Sequence, residues 1–156
     1  YERLTRAHER VPELVVGADL MVGFPTELDE QFRDTFNAVK DLQIVYPHVF
    51  PFSLRDGAPA SRIPAQVPRE VQRERASSIR AEGAKWRHRA LRSWLGRSSE
   101  VLIERSSNSS TPAYNARLAN YMPVKVNVRV GDIGQLVKVK VIAVQADTLI
   151  AEVMCR

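Results

Sequence analysis

An α/β segment followed by an all-β barrel is the fold class that this sequence predicts, and three observations predict it. Two apolar, strand-like runs near the start flank a helical pattern. Proline punctuation then gives way to one long helical stripe, and the last third changes to short alternating runs separated by Ser, Asn, Gly and Asp.

The elements follow in order. Residues 1–12 read as the end of a helix, and residues 14–22 as a strand buried on both faces, ended by Gly23-Phe24-Pro25. Thr26 is placed to cap the next helix, and Asp29 supplies the acidic first-turn residue that the macrodipole favours. Leu28, Phe32, Phe36 and Val39 recur at helical spacing on one face. Residues 44–52 are rich in β-branched and aromatic types and predict a second strand, with Pro47 and Pro51 limiting its regular pairing. Strand, helix, strand in this order is a βαβ unit, with parallel pairing and helices outside the sheet. Residues 53–68 contain Gly57, Pro59, Pro64 and Pro68, a composition for a surface loop. Pro68 then opens a helix whose stripe of Val71, Ile79, Trp86, Ala90 and Trp94 runs to about Leu95, with Gly96 as its stop.

Beyond Gly96 the period becomes that of strands. Residues 101–103, 124–128, 136–142 and 148–153 each predict one, and alternation in residues 137–141 puts valines on one face and Lys138 and Lys140 on the other. A small closed antiparallel barrel accounts for several short strands without exposed edges. Residues 106–111 read as a polar loop.

Composition narrows the function classes. At 156 residues and 44% hydrophobic, the chain can bury real cores. Its one cysteine, Cys155, excludes an internal disulfide framework and any cysteine-rich metal site made by this chain alone, and suits a reducing, cytoplasmic setting. No apolar run approaches the roughly 20 residues of a membrane span, so no membrane is expected as a partner. The chain starts at Tyr1-Glu2-Arg3, within a charged helix-like stretch, and reads as a piece of something longer. Charge is distributed unevenly: six Lys or Arg against ten Asp or Glu in residues 1–61, ten against three in 62–97, and seven against five in 98–156. The basic middle and the acidic first third suit different partners.

Three stretches carry a resemblance. They are Asp19-Leu20-Met21-Val22-Gly23-Phe24-Pro25, then His48-Val49-Phe50-Pro51-Phe52-Ser53-Leu54-Arg55-Asp56-Gly57-Ala58-Pro59-Ala60, and then Val67-Pro68 with its charged helix leading into Val101-Leu102-Ile103-Glu104 and Asn120-Tyr121-Met122-Pro123-Val124. In order and spacing they resemble the methylthiotransferase family of radical S-adenosylmethionine enzymes, over nearly the whole chain. The second run is similar to the form typical of the branch that acts on N6-threonylcarbamoyladenosine in tRNA. Thr26 stands where that family usually has Gly, Phe52 replaces Tyr and Ala58 replaces Thr, while Ala116 and Leu118 stand where the barrel often has Gly and Thr.

The resemblance implies an organisation. Residues 1–66 would be the C-terminal βαβ part of a partial TIM-type radical barrel, 67–97 a basic connecting helix, and 98–156 an RNA-binding barrel of the TRAM type. It implies S-adenosylmethionine and two 4Fe-4S clusters in the full-length enzyme, with reductive cleavage of the cofactor, hydrogen abstraction from an adenine carbon, sulfur insertion and methylation. The cluster ligands would lie in a missing N-terminal portion of the same polypeptide, so no catalytic residue and no metal ligand is expected here, and the fragment alone is expected to be inactive. Other functions also stand: a free-standing RNA-binding module, or a methylthiotransferase for isopentenyladenosine in tRNA or for a ribosomal protein. An unpaired strand edge of a partial barrel would also permit dimerisation.

Candidate residues divide into two sets. Barrel enzymes place ligands at the C-terminal ends of parallel strands. The resemblance accordingly implies S-adenosylmethionine contacts for Val22, Gly23, Phe24 and Pro25 at one strand end, and for Phe50, Phe52 and Ser53 at the other. On residue types alone, Phe24, Phe50 and Phe52 also suit plain wall packing. Asp19, inside an apolar strand, is expected to face the barrel interior and meet a donor or the substrate, as a structural or a functional carboxylate. Arg55 suits a carboxylate of the cofactor or of the threonylcarbamoyl group, or else a solvated loop. His48 reads as a strand histidine rather than a metal ligand. Arg80, Lys85, Arg87, Arg89 and Arg92 on the helix, with Lys125, Arg129, Lys138 and Lys140 in the barrel, are candidates for contacts with tRNA phosphates. Trp86 and Trp94 fit core packing better than base stacking.

Overall fold

A computed structural model of the chain describes residues 1–104, 113–129 and 132–154. The predicted loop at 106–111, and Cys155, lie outside the described residues. Contacts divide the chain into two compact units, Tyr1–Arg87 and His88–Arg156.

In the first unit, α1 (Glu2–Arg10) precedes β1 (Gly17–Val22), α2 (Asp29–Asp41), β2 (Tyr46–Pro51), a 3-10 turn (Pro59–Arg62) and most of α3 (Arg69–Arg92). β1 and β2 pair in parallel, as the βαβ order requires, in a register that sets Asp19 beside His48 and Met21 beside Phe50. Ala18, Leu20, Val22 and Val49 face a core completed by Phe32, Phe36 and Val39 of α2 and Ala76 and Ile79 of α3. At Gly83 the helix comes so close to β2 that an added Cβ would lie 2.3 Å from the Pro47 ring. Only a residue without a side chain permits that approach.

Two expectations for this unit need correction. β1 is not buried on both faces: helices cover one side only, and on the other Met21 and Phe50 are 56% and 55% exposed. The apolar run reads as fully buried because its outward positions are apolar too, which a sequence pattern cannot tell from interior ones. Nor does Thr26 cap α2. The cap is Leu28, whose N–H donates to the Gln31 side chain at 2.9 Å, so Leu28 lies outside the apolar face. Thr26 is instead held at φ +75°, its N–H donating to the Ala65 carbonyl at 3.1 Å.

The second unit contains β3 (Ser98–Ile103), β4 (Ala113–Arg117), β5 (Pro123–Asn127), β6 (Leu136–Gln145) and β7 (Thr148–Val153), closed in the order β3-β4-β5-β7-β6. Gly96, at φ +77°, ends the preceding helical stretch as expected. Val137, Val139 and Val141 point inward with Val101, Ile103, Val124, Val126 and Leu149, while Lys138 and Lys140 point outward. A register shift between Val141 and Ala143 bends β6, the longest strand, around the ring.

The barrel is mixed rather than antiparallel. Directions cannot alternate all the way round a ring with an odd number of strands, so a closed five-stranded barrel must contain a parallel neighbour pair. That pair is β5–β7. β4 had no sequence signature, because Ala113-Tyr114-Asn115-Ala116-Arg117 has too few β-branched residues to show the period.

Candidate functional site

The sequence-predicted cofactor residues come together at the C-terminal ends of β1 and β2. The Phe52 N–H donates to the Val22 carbonyl at 2.8 Å, extending the parallel pairing past the strand ends. This brings Phe24 against Phe52 edge to face, with ring centroids 5.3 Å apart. Gly23 turns the chain with φ +72°, and a Cβ there would meet the Gln72 side chain at 2.3 Å. Both the positive φ and the close helix demand glycine. Pro25 is buried beside this turn, whereas Ser53 and Arg55 are exposed. The Arg55 backbone is fastened in both directions to the Ser61 hydroxyl, which donates to its carbonyl at 2.6 Å and accepts from its N–H at 3.1 Å. Asp19 and Phe50 lie on the uncovered face of the sheet, and Asp19 meets no donor among the described residues. An open cleft of about 560 Å³ lies at the end of β2, with Phe52, Ser53 and Leu54 on one side and Arg69, Gln72 and Arg73 of α3 on the other.

What holds the Gly23 turn is a set of residues that sequence reasoning missed. Glu27 accepts a 2.6 Å hydrogen bond from the Gly23 N–H and, through the same oxygen, one from Arg75 of α3. Arg75 also donates to the Glu27 carbonyl at 3.1 Å and to Asp29 at 2.6 Å, and stacks over the Phe32 ring at 5.3 Å. Burial by itself lowers the pKa of this guanidinium, but the hydrogen bonds to Asp29 and Glu27 and their charges outweigh that and leave it raised. The side chains of Arg75 and Glu27 are only 7% and 11% exposed, so this pair is desolvated, whereas Asp29 at 87% adds little. The Gln72 amide donates to the carbonyls of Gly23 and Val67 at 3.4 and 3.0 Å. A charged residue inside the α3 stripe, at position 75 between Val71 and Ile79, was the available signal; counted as surface charge, it was hidden among its basic neighbours.

The basic candidates do not form one patch. Arg80 donates to the Val49 carbonyl at 2.7 Å, Lys85 pairs with Glu82 at 2.9 Å, and Arg87 lies over the Tyr46 ring at 6.0 Å. Three of the five helix candidates are therefore engaged within the first unit, while Arg89 and Arg92 belong to the second. In the barrel, Lys138 stands across from Glu100 of β3, and Lys140 is flanked by Ser98 and Glu152. Lys125 stands between Asn115 and Ile150, and the Arg129 backbone N–H donates to the Asp132 carboxylate at 3.1 Å. The charge divides sharply by unit: residues 1–87 hold 13 Lys or Arg and 13 Asp or Glu, and residues 88–156 hold ten and five. The whole excess of +5 thus lies in the second unit.

Comparison with known proteins covers both units. The chain is 35% identical over 134 residues to the threonylcarbamoyladenosine tRNA methylthiotransferase MtaB of Rickettsia prowazekii, an alignment covering 86% of this chain and 30% of that protein. The chain is homologous to the methylthiotransferases. A tRNA-2-methylthio-N(6)-dimethylallyladenosine synthase of Clostridium botulinum is 31% identical over 156 residues, covering 98% of this chain and 34% of its own length. MtaB of Bacillus subtilis is 31% identical over 143 residues, covering 90% of this chain and 32% of its own. The chain thus spans about a third of the length of these methylthiotransferases. No family model matches it.

The groups that methylthiotransferases imply fit this chain unequally. The strand ends suit an organic cofactor, with an exposed Phe24 ring and an open sheet face. Iron–sulfur clusters do not fit: the sequence holds a single cysteine, and no group of three His, Cys, Asp or Glu side chains gathers among the described residues. No described helix is long and apolar enough to cross a membrane.

Proposed function

We propose that this chain is part of a tRNA methylthiotransferase of the threonylcarbamoyladenosine branch, its first unit contributing two strands of a radical S-adenosylmethionine barrel and its second a TRAM-type grip on tRNA. The observation that carries the reading is the alignment of both units, in order, with methylthiotransferases of two substrate types. The uncovered face of β1 and β2 supports the first assignment, because Met21 and Phe50 are apolar positions that further strands of a barrel would enclose. Asp19 would then face that interior with His48. S-adenosylmethionine, when bound, supplies the radical and methyl chemistry. The residues of this chain would position it: Val22, Phe50 and Ser53 with backbone and wall contacts at the strand ends, Phe24 and Phe52 with their paired rings, and Gly23 and Pro25 by fixing the turn. Arg55 is assigned to a carboxylate at the same end. The threonylcarbamoyl branch is favoured over the dimethylallyl one by the residue run from His48 to Ala60.

In the second unit the net charge of +5 supports the tRNA grip. Lys125, Arg129, Lys138 and Lys140 would meet phosphates, with Arg89 and Arg92 adding to them, and Arg80, Lys85 and Arg87 contribute less because of their internal contacts. The test is product analysis with the complete polypeptide, its clusters reconstituted, on tRNA bearing threonylcarbamoyladenosine or dimethylallyladenosine. A methylthio product on the first alone is expected. Product on the second alone reassigns the branch, and none on either overturns the reading.

A further inference from the structure

The turn between β4 and β5 holds an aromatic ring in a conformation that few residues would choose. Tyr121 sits at φ +66°, where a side chain other than Asn or Asp is uncommon and costs roughly 1–2 kcal/mol. Its backbone is fixed on every side. Its N–H donates to the Leu118 carbonyl at 2.9 Å, the Leu118 N–H donates to Met122 at 3.1 Å, and the Asn120 side chain accepts from the Met122 N–H at 3.2 Å. Arg117 donates to the Tyr121 carbonyl at 3.1 Å, and Leu118 and Met122 are buried on either side. The ring itself gains nothing from this: at 77% exposure, Tyr121 is the most exposed large apolar residue among those described. A turn of this kind is satisfied more cheaply by Gly or Asn. Strain of this kind, held by its surroundings, marks candidate functional positions.

We propose that Tyr121 is a stacking platform for an unpaired base of RNA. The surroundings decide the partner. The exposed positions of β4 and β5 toward the turn are Asn115, Arg117 and Lys125, of which Arg117 shares its guanidinium with Glu104 at 3.4 Å. An aromatic anchor at a protein interface sits in a core depleted of charge. An aromatic ring flanked by cations and amides instead matches single-stranded nucleic acid, where the ring takes the base and the cations take the backbone. The ring is not a sequence reader, since every base offers a π-face.

This inference rests on the tRNA reading above, and the experiment separates the two. The complete polypeptide, wild type and with Tyr121→Ala, Tyr121→Asn or Tyr121→Trp, is titrated with tRNA, with a short single-stranded oligoribonucleotide and with a fully paired RNA duplex, at several salt concentrations. Ala and Asn are expected to weaken tRNA and single-strand binding about tenfold, with Trp restoring it and duplex binding unchanged. The dependence on salt stays the same, because no phosphate contact is removed. Asn tolerates the positive φ, so a loss with Asn at an unchanged unfolding midpoint belongs to the ring and not to the turn. Equal binding by wild type and Tyr121→Ala, or an equal loss on duplex, overturns the stacking role and turns the ring toward a protein partner. Failure of the wild type to bind any RNA overturns the tRNA reading itself.

Discussion

The β1–β2 sheet and the barrel are both made of short strands with apolar residues on their covered faces, yet they dispose of their apolar surface differently. The barrel closes on itself, so Val137, Val139 and Val141 meet Val101, Val124 and Leu149 across one interior and every strand has two neighbours. The sheet has two strands, one covered face and one bare one. Charge separates them again. The first unit is neutral and invests a desolvated ion pair, Arg75 with Glu27, in holding one turn; the residues of the second hold the excess of +5. A segment complete in its packing shows its function on its surface, whereas one with a bare face shows it in what that face awaits.

Substitutions that act on one unit alone sharpen this contrast, and amide exchange reads the units separately. The largest effect is expected from Arg75→Ala. It leaves the Glu27 carboxylate buried without its cation, a change that costs about 3–5 kcal/mol, and should lower exchange protection in residues 1–87 only. Protection unchanged there would mean that the turn does not depend on the ion pair. Leu149→Ala should cost the barrel about 3 kcal/mol, since Leu149 is fully buried in it. Gly23→Ala is expected to cost roughly 2 kcal/mol, from the positive φ and the overlap with Gln72 combined. The smallest change has the opposite sign. Thr26→Gly should raise the unfolding midpoint by about 1 kcal/mol equivalent, because a β-branched residue at φ +75° gives up left-handed strain. A lowered midpoint would show that the Thr26 side chain compensates for its backbone.

Thr26 also shows how far a sequence can be read. The resemblance marks it as standing where Gly is usual, and the backbone there has the conformation that Gly prefers, but residue periodicity offered it as a helix cap. The barrel was legible wherever alternation is strict, as in β6, and illegible in β4, where Ala and Asn leave no period. The parallel β5–β7 pair follows from strand number, which only the missed β4 supplies. At the candidate site, the strand ends and the Gly23 turn were legible from local runs. Glu27 and Arg75 were not, since they lie 48 positions apart and meet only through packing. Packing likewise removes Arg80 and Arg87 from a simple count of surface charge, whereas Lys85 stays exposed and is only paired with Glu82 along its own helix.

The division of labour between the units is tested most directly by titrating this chain with tRNA across a range of salt concentrations, comparing Lys138→Glu with Lys140→Glu in the barrel against Arg33→Glu on α2. Binding that weakens and loses part of its salt dependence with the barrel reversals, and keeps both with Arg33→Glu, is the predicted result. An equal loss from Arg33→Glu, or no binding by the unaltered chain at low salt, would contradict the assignment of the tRNA grip to the second unit.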